Sequence, residues 1–173
     1  KGTVVAKLLA LRDDVDVSIS WTTRAMRPGD EEGTTYFFKT EAEFEEMARQ
    51  GGFLEYAGVY GKHYGTAASF VDERLALGRH VLLEIDTQGA LQVMEKRPEA
   101  VSIFLLPPSM KELHRRLTGR HTETPEQIRR RFEFAYEELK NARHYQYCVL
   151  NNDAALAAAK ISTVIDAQML LTA

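Results

Sequence analysis

Arg24 and Arg27 stand three residues apart in TTRAMRPGDEEGTTYFF (Thr22–Phe38), where Pro28-Gly29 bends the chain, acidic residues follow and an aromatic run closes the stretch. Two guanidinium groups on such a bend are either solvated surface charge or a clamp for a phosphate, which they would bracket with planar, charge-assisted hydrogen bonds. Lysine would serve less well, because it lacks the fork. Glu84 and Asp86 in HVLLEID form a second set: two residues apart, they share one face at the end of a strand. Such a carboxylate pair could suggest acid–base hydrolysis, but no sugar-cleft signature accompanies it. A third set opens the chain. A helix starting directly after a lysine, as in Lys1-Gly2-Thr3, is what remains of a phosphate-binding loop once its glycines are cut away. Gly2 stands where the usual pattern has a Mg2+-binding Ser or Thr. The histidines (63, 80, 114, 121 and 144) show no paired spacing with cysteine or carboxylate, so neither a structural metal nor histidine-based catalysis is expected.

These groups need elements to hold them. KGTVVAKLLALR predicts a helix with Val4, Val5, Leu8 and Leu9 on one face. DVDVSIS alternates Val15, Val17 and Ile19 with polar neighbours, a strand ending near Ser20. Between Thr22 and Gly61, short aromatic stretches flank a small amphipathic helix from about Ala42 to Arg49, a β-rich insert. A helix from about Ser69 to Leu77 stops at Gly78. HVLLEID then reads as a buried parallel strand ending in carboxylates, and AVSIFLLPPS as another, stopped by Pro-Pro. Ser109 caps the helix MKELHRRL, and TGRHTET is a mobile polar loop. Thr124 opens a further helix, with Pro125 first and Gln127 completing a capping box; Ile128, Phe132 and Leu139 form its apolar stripe. A short strand, YCVL, follows, in which Cys148 reads as an inert core thiol. A final helix runs from about Asp153 to Leu171. Strands alternating with helices indicate an α/β fold with a parallel sheet flanked by helices. Ligands of such sheets bind at the carboxyl ends of strands. Ser20, the Thr22–Arg27 bend and Glu84/Asp86 all fall there, so the arginines are placed rather than scattered.

A chain of 173 residues forms one compact domain with a real core. A net charge of −3 argues against a general nucleic-acid binder while leaving room for a local basic pocket. Cys148, the single cysteine, cannot form an internal disulfide, and no apolar run is long enough to span a membrane. A cytoplasmic protein without membrane or nucleic-acid partners is expected.

Taken together, SISWTTRAMRPGDEEGTTYFF, FLEYAGVYGKHYGT, LLEIDTQGA, IFLLPPS, LHRRLTGRHTET and VLNND resemble the guanylate kinase family, in its order and spacing across essentially the whole chain. The resemblance implies a P-loop-type α/β fold with a core (residues 1–21, 67–117 and 133–173), a β-rich GMP-binding insert (22–66) and a mobile lid (118–132). It implies Mg2+-dependent phosphoryl transfer from ATP to GMP, giving ADP and GDP. The glycine loop and first strand of that pattern would precede Lys1, so the natural protein is expected to be longer and these residues by themselves poorly active. Two other readings stand beside it: a non-catalytic guanylate-kinase-like interaction module, and a monophosphate kinase for another base. A homodimer is compatible with the family and does not follow from the residues.

Residue by residue, the resemblance puts Arg24, Arg27, Tyr36 and Tyr64 on the GMP phosphate. Glu55 would face the N1–H and 2-amino donors of guanine, although alternation alone would also allow it to face outward. Thr66, where the family has Ser or Thr, would donate to O6, and Ser20 would add a hydroxyl at base or phosphate. Asp86 falls near the guanine amino group, and Glu84 by the metal, directly or through water. Lys1, Gly2, Thr3, Arg116, Arg120 and Asn151 would bind ATP. Catalytic charge neutralisation falls to Lys1, Arg24, Arg27, Arg120 and Arg131, whereas Arg129 and Arg130 read as a solvated helix face. The acceptor is an ionised phosphate, so no general base is needed. Trp21 replaces a smaller family residue.

Overall fold

The computed structural model describes residues 1–118 and 124–171. Arg120, with the rest of 119–123 in the expected lid, lies outside the described residues. In chain order the elements are α1 (Gly2–Leu11), β1 (Val15–Val17), β2 (Trp21–Thr22), β3 (Phe37–Phe38), α2 (Glu41–Arg49), β4 (Phe53–Val59), β5 (Lys62–Ala67), α3 (Ala68–Ala76), β6 (His80–Leu82), α4 (Thr87–Lys96), β7 (Ile103–Leu106), α5 (Met110–Thr118), α6 (Pro125–Lys140), a 3-10 turn (Ala142–His144), β8 (Tyr147–Leu150) and α7 (Ala154–Met169). They divide into two compact units, Lys1–Arg12 with Val101–Ala173, and Asp13–Ala100.

In the Asp13–Ala100 unit, β1 and β6 pair in parallel, and a four-stranded sheet has the order β3-β2-β5-β4. The β4–β5 hairpin turns through Tyr60 and Gly61, both at positive φ (53° and 73°), the twist that a two-residue connection between antiparallel strands favours. Thr40 starts α2 with a reciprocal capping box to Glu43, and Gly78, at φ 73°, ends the turn after α3. Leu54, Val71 and Val93 form a buried cluster, with Val81, Leu83 and Ile85 packed against it. Strand β6 stops at Leu82, earlier than the apolar run suggests, and its residues are half-buried. Trp21 meets Phe53 edge-on at 5.7 Å, and Phe44 lies against Phe53 at 4.5 Å. The indole is thus one wall of an aromatic cluster under α2, with the Lys39 ammonium over its ring. Gly65, opposite Trp21, leaves room for that cluster: a Cβ there would stand 3.0 Å from Phe53.

In the other unit α1 packs on α7, and β7 pairs in parallel with β8. Val4 and Leu8 are buried while Leu9 is exposed, so the inward face of α1 is narrower than its apolar residues suggest. Arg12 pins the two helices, donating to Ser162 Oγ at 3.2 Å and pairing with Asp166. Thr124, Pro125 and Gln127 form the expected capping box, and Ser109 accepts from Glu112 N at the start of α5. Cys148 corrects the expectation of a core thiol. It is exposed, because β8 alternates and turns Val149 inward instead. No helix among the described residues is long and apolar enough to cross a membrane.

Candidate functional site

The bend that carries the arginines is built from two threonines and an aspartate. Thr22, fully buried, donates through its hydroxyl to the His63 carbonyl at 3.0 Å and accepts from Arg24 N, locking the strand that leads into the bend. Thr23 accepts from His63 N at 3.0 Å. Beyond the bend, Asp30 Oδ2 accepts from Arg24 Nη1 at 2.8 Å and from Arg27 N at 2.7 Å. The Arg24 hydrogen bond, then that of the Arg27 N–H, holds Asp30 below the usual carboxylate range. Arg24 Nη1 also donates to the Ala25 carbonyl at 2.9 Å, so both its hydrogens are committed. Its guanidinium lies over the rings of Tyr36 (5.2 Å) and Phe38 (5.5 Å). Tyr36 in turn meets Tyr64 edge-on at 5.8 Å. Burial first, then Tyr64, raises Tyr36, so its hydroxyl stays a donor; the charge of Glu84 contributes in the same direction. Arg24, Tyr36 and Tyr64 therefore share one neighbourhood, which the field of Glu84 reaches. Arg27 is exposed and is tied to it through its backbone.

The second group centres on Glu55, 3% exposed. Strict alternation would turn either Leu54 or Glu55 outward, yet Phe53, Leu54 and Glu55 are all buried. The cause is a register shift: Phe53 faces Ala67 and Glu55 faces Thr66, so one extra residue on β4 re-aims the strand. Thr66 Oγ1 donates to Glu55 Oε1 at 2.6 Å. Burial pushes Glu55 above the ordinary carboxylate value, Thr66 opposes the shift, and the nearby charge of Asp86 adds to it. Asp86 is the N-cap of α4; its Oδ1 accepts from Gly89 N at 2.8 Å, while its Oδ2 is buried without a hydrogen-bond partner. Ser18 Oγ is likewise buried and unpartnered. A carboxylate oxygen can only accept, so Glu55 and the unpartnered Oδ2 of Asp86 can receive N–H or O–H donors. Ser20, half-buried, lies in the link between β1 and β2, and its carbonyl accepts from Phe37 N. Glu84 is exposed after the end of β6.

The remaining candidates belong to the other unit. Lys1 is the N-cap of α1, with its carbonyl accepting from Val4 N, and Gly2 and Thr3 form the first turn. The N–H groups of such a turn have no partner within the helix and attract anions. Arg116 donates through Nε to Glu112 Oε1 at 2.8 Å. Hydrogen bonds from Arg115 and then Arg116 pull Glu112 down to about 2. Arg131 lies half-buried in α6, and Asn151 directly after β8, its N–H donating to the Leu106 carbonyl. Among the described residues no three His, Cys, Asp or Glu side chains gather as a metal cage.

Sequence reasoning passed over Thr22, Asp30, Gly89, Gln92 and Lys96. Gly89 is needed because a Cβ there would lie 2.2 Å from Glu55 Oε2. Gln92 and Lys96 bond the backbone of β4 on either side of Glu55. For Asp30 a signal existed, an acid directly after Pro28-Gly29 beside two arginines. Thr22 becomes visible only once β2 pairs with β5, and Gly89, Gln92 and Lys96 only once α4 lies along β4.

Comparison with known proteins finds relatives of the chain as a whole. The family model described as guanylate kinase matches residues 1–168. The guanylate kinase of Caldanaerobacter subterraneus subsp. tengcongensis is 49% identical over 168 residues, spanning 97% of this chain and 82% of the relative. That of Lactococcus lactis subsp. lactis is 46% identical over the same shares of both chains. The crystal structure of guanylate kinase from Anaplasma phagocytophilum superposes with a TM-score of 0.84 at 35% identity, over 99% of this chain and 83% of that one.

Proposed function

The chain belongs to the guanylate kinase family, and on that premise we propose that it transfers a phosphoryl group from ATP to GMP, giving ADP and GDP, through the residues set out above. The observation that carries the specificity is the buried Glu55, held by Thr66 and accompanied by the unpartnered Oδ2 of Asp86. Guanine offers N1–H and a 2-amino group to two acceptors and O6 to a donor. By giving Glu55 donors of its own, it frees the Thr66 proton to turn towards O6. Adenine lacks the N1 proton and the 2-amino group, so it would turn a lone pair towards Glu55 and offer no donor to the unpartnered Oδ2 of Asp86, the kind of mismatch that discriminates most strongly. Ser20 adds a hydroxyl at base or phosphate.

The GMP phosphate, near −2 at neutral pH, is received by Arg24, Arg27, Tyr36 and Tyr64. Asp30 occupies Nη1 of Arg24, which leaves the Nε–Nη2 edge as the bidentate fork. We assign residues 22–66 as the GMP-binding insert, since β3, α2, β4 and most of β5 lie within them and the phosphate clamp spans Arg24–Tyr64. Lys1, Gly2 and Thr3 at the start of α1, with Arg116, Arg131 and Asn151, are assigned to ATP. Lys1, Arg24, Arg27 and Arg131 spread the charge of the transferring group. An ionised acceptor phosphate needs no general base, so positioning and charge neutralisation suffice.

ATP brings a need for Mg2+. That ion is bound through one or two carboxylates plus substrate phosphates rather than by an all-protein cage, and the exposed Glu84, near the phosphate-binding tyrosines, fits this donor set. When bound, the ion withdraws charge from the phosphate oxygens. A reducing cytoplasm suits the single cysteine, Cys148.

The deciding experiment measures GMP and AMP binding by titration calorimetry, and GDP formation, for the wild type and for Glu55→Ala and Arg24→Ala. Loss of GMP binding in both variants, with AMP bound poorly throughout, is expected. Wild-type-like GMP affinity in either variant overturns the role of that residue, and equal affinity for AMP overturns the guanine reading.

A further inference from the structure

Glu55 owes its position to more than Thr66. Strand β4 is the outer strand of its sheet, so alternate residues turn backbone groups away from β5, an edge that must be satisfied from elsewhere. Leu54 and Tyr56, which flank Glu55, are two such residues, and α4 bonds both. Lys96 Nζ donates to the Leu54 carbonyl at 2.8 Å. Gln92 Nε2 donates to the Tyr56 carbonyl at 2.7 Å, and Gln92 Oε1 accepts from Tyr56 N at 3.3 Å. The Gln92 amide thus presents one donor and one acceptor to β4, as a peptide unit of a further strand would. Gly89, Gln92 and Lys96 recur at the helical spacing that lines one face. Gly89 admits Glu55 Oε2 against that face, and Asp86 caps the same helix.

One helix therefore bears one guanine-facing carboxylate and tethers the strand on both sides of the other. We propose that Gln92, assisted by Lys96, is a positioning residue that sets the separation of Glu55 and Asp86 and thereby the discrimination of guanine from purines lacking the 2-amino group. This rests on the guanine-binding reading above. An edge-satisfying role alone would alter stability without altering base preference. Positioning must alter preference, because N1–H and the 2-amino group have a fixed spacing and only a correctly spaced pair of acceptors engages both.

The test uses Gln92→Met, which keeps the bulk and removes the amide, in the whole chain. GMP, inosine monophosphate (the same purine without the 2-amino group) and AMP are titrated calorimetrically, and urea midpoints are recorded. GMP affinity should fall about tenfold, the order of one lost hydrogen bond to a charged group's support. Affinity for inosine monophosphate should fall less, narrowing the ratio, and AMP should not change. In a Glu55→Gln background the same substitution should have no further effect on GMP. Equal losses for all three nucleotides, an additive loss in the Glu55→Gln background, or a lowered urea midpoint with the ratio intact would overturn the proposal. If Gln92→Met does not fold, Lys96→Met must narrow the ratio in the same sense, and an unchanged ratio there overturns it. A wild type without preference for GMP over AMP would instead defeat the guanine reading itself.

Discussion

Asp30 grips Arg24 at 2.8 Å through the same oxygen that accepts from the backbone of Arg27 at 2.7 Å. One carboxylate thus fixes the guanidinium of the first arginine and the main chain of the second. It holds the bend in the shape that a phosphate would meet, and it leaves Arg24 a whole edge to offer.

Replacing that carboxylate separates two effects, lost order and lost competition for the arginine. We expect order to dominate, because Asp30 takes Nη1 and spares the Nε–Nη2 edge. Asp30→Ala should weaken GMP binding about tenfold, and Asp30→Asn, which keeps an acceptor, should weaken it less. Calorimetric titration checks this; tighter binding in Asp30→Ala would show instead that Asp30 competes with the phosphate.

Glu55 is a buried carboxylate whose ionised form the folded protein tolerates poorly. Glu55→Gln should lower GMP affinity by about 10²-fold, since an amide N–H then faces the guanine donors. The same change should raise the urea midpoint of the ligand-free protein at pH 8. A lowered midpoint with intact GMP affinity would contradict both halves.

The raised Glu55 also sets a pH dependence. Its contribution to folding is present in full below the ordinary carboxylate value and is lost as pH rises through its raised value. Guanine binding requires the ionised form, so the sign reverses for the ligand: GMP affinity should fall as pH drops through that value. Calorimetry from pH 8 to pH 5, with AMP as control for titration of the phosphate, should show this fall in the wild type and not in Glu55→Gln.

Gly89→Ala would put a methyl group 2.2 Å from Glu55 Oε2. A solvated helix position would gain about 1 kcal/mol from this change. Here overpacking should reverse the sign, destabilising by about 1–3 kcal/mol and weakening GMP binding as Glu55 is displaced. Thermal unfolding and GMP titration of one sample check both.

Much of the architecture could be read before any coordinates. The caps at Ser109 and Thr124, the Pro125 start, the Gly78 stop and the amphipathic α2 depend on a side chain and its own backbone within a few residues. Of the candidate site, Arg24 and Asp86 stand out by their own placement in the sequence, whereas Tyr36, Tyr64, Glu55 and Thr66 enter only through the family resemblance. Their arrangement was not. Alternation left the direction of Glu55 open, and the register shift beside Leu54 resolved it, through pairing with a strand elsewhere in the sequence. Cys148 illustrates the same limit, since an apolar strand does not say which of its faces is covered.

The order of residues thus determined the elements, because turn, cap and periodicity signals act over a few residues of chain, and its motifs indicated the chemistry through their resemblance to the guanylate kinase family. Tertiary structure decided where each group aims. Thr66 commits its proton to Glu55, Asp30 binds Arg24, and α4 reaches across 36 residues of sequence to hold Tyr56. Such contacts arise only when distant backbones take up a shared register, and hydrogen bonds, which fail beyond a few ångströms, then select one orientation for each side chain.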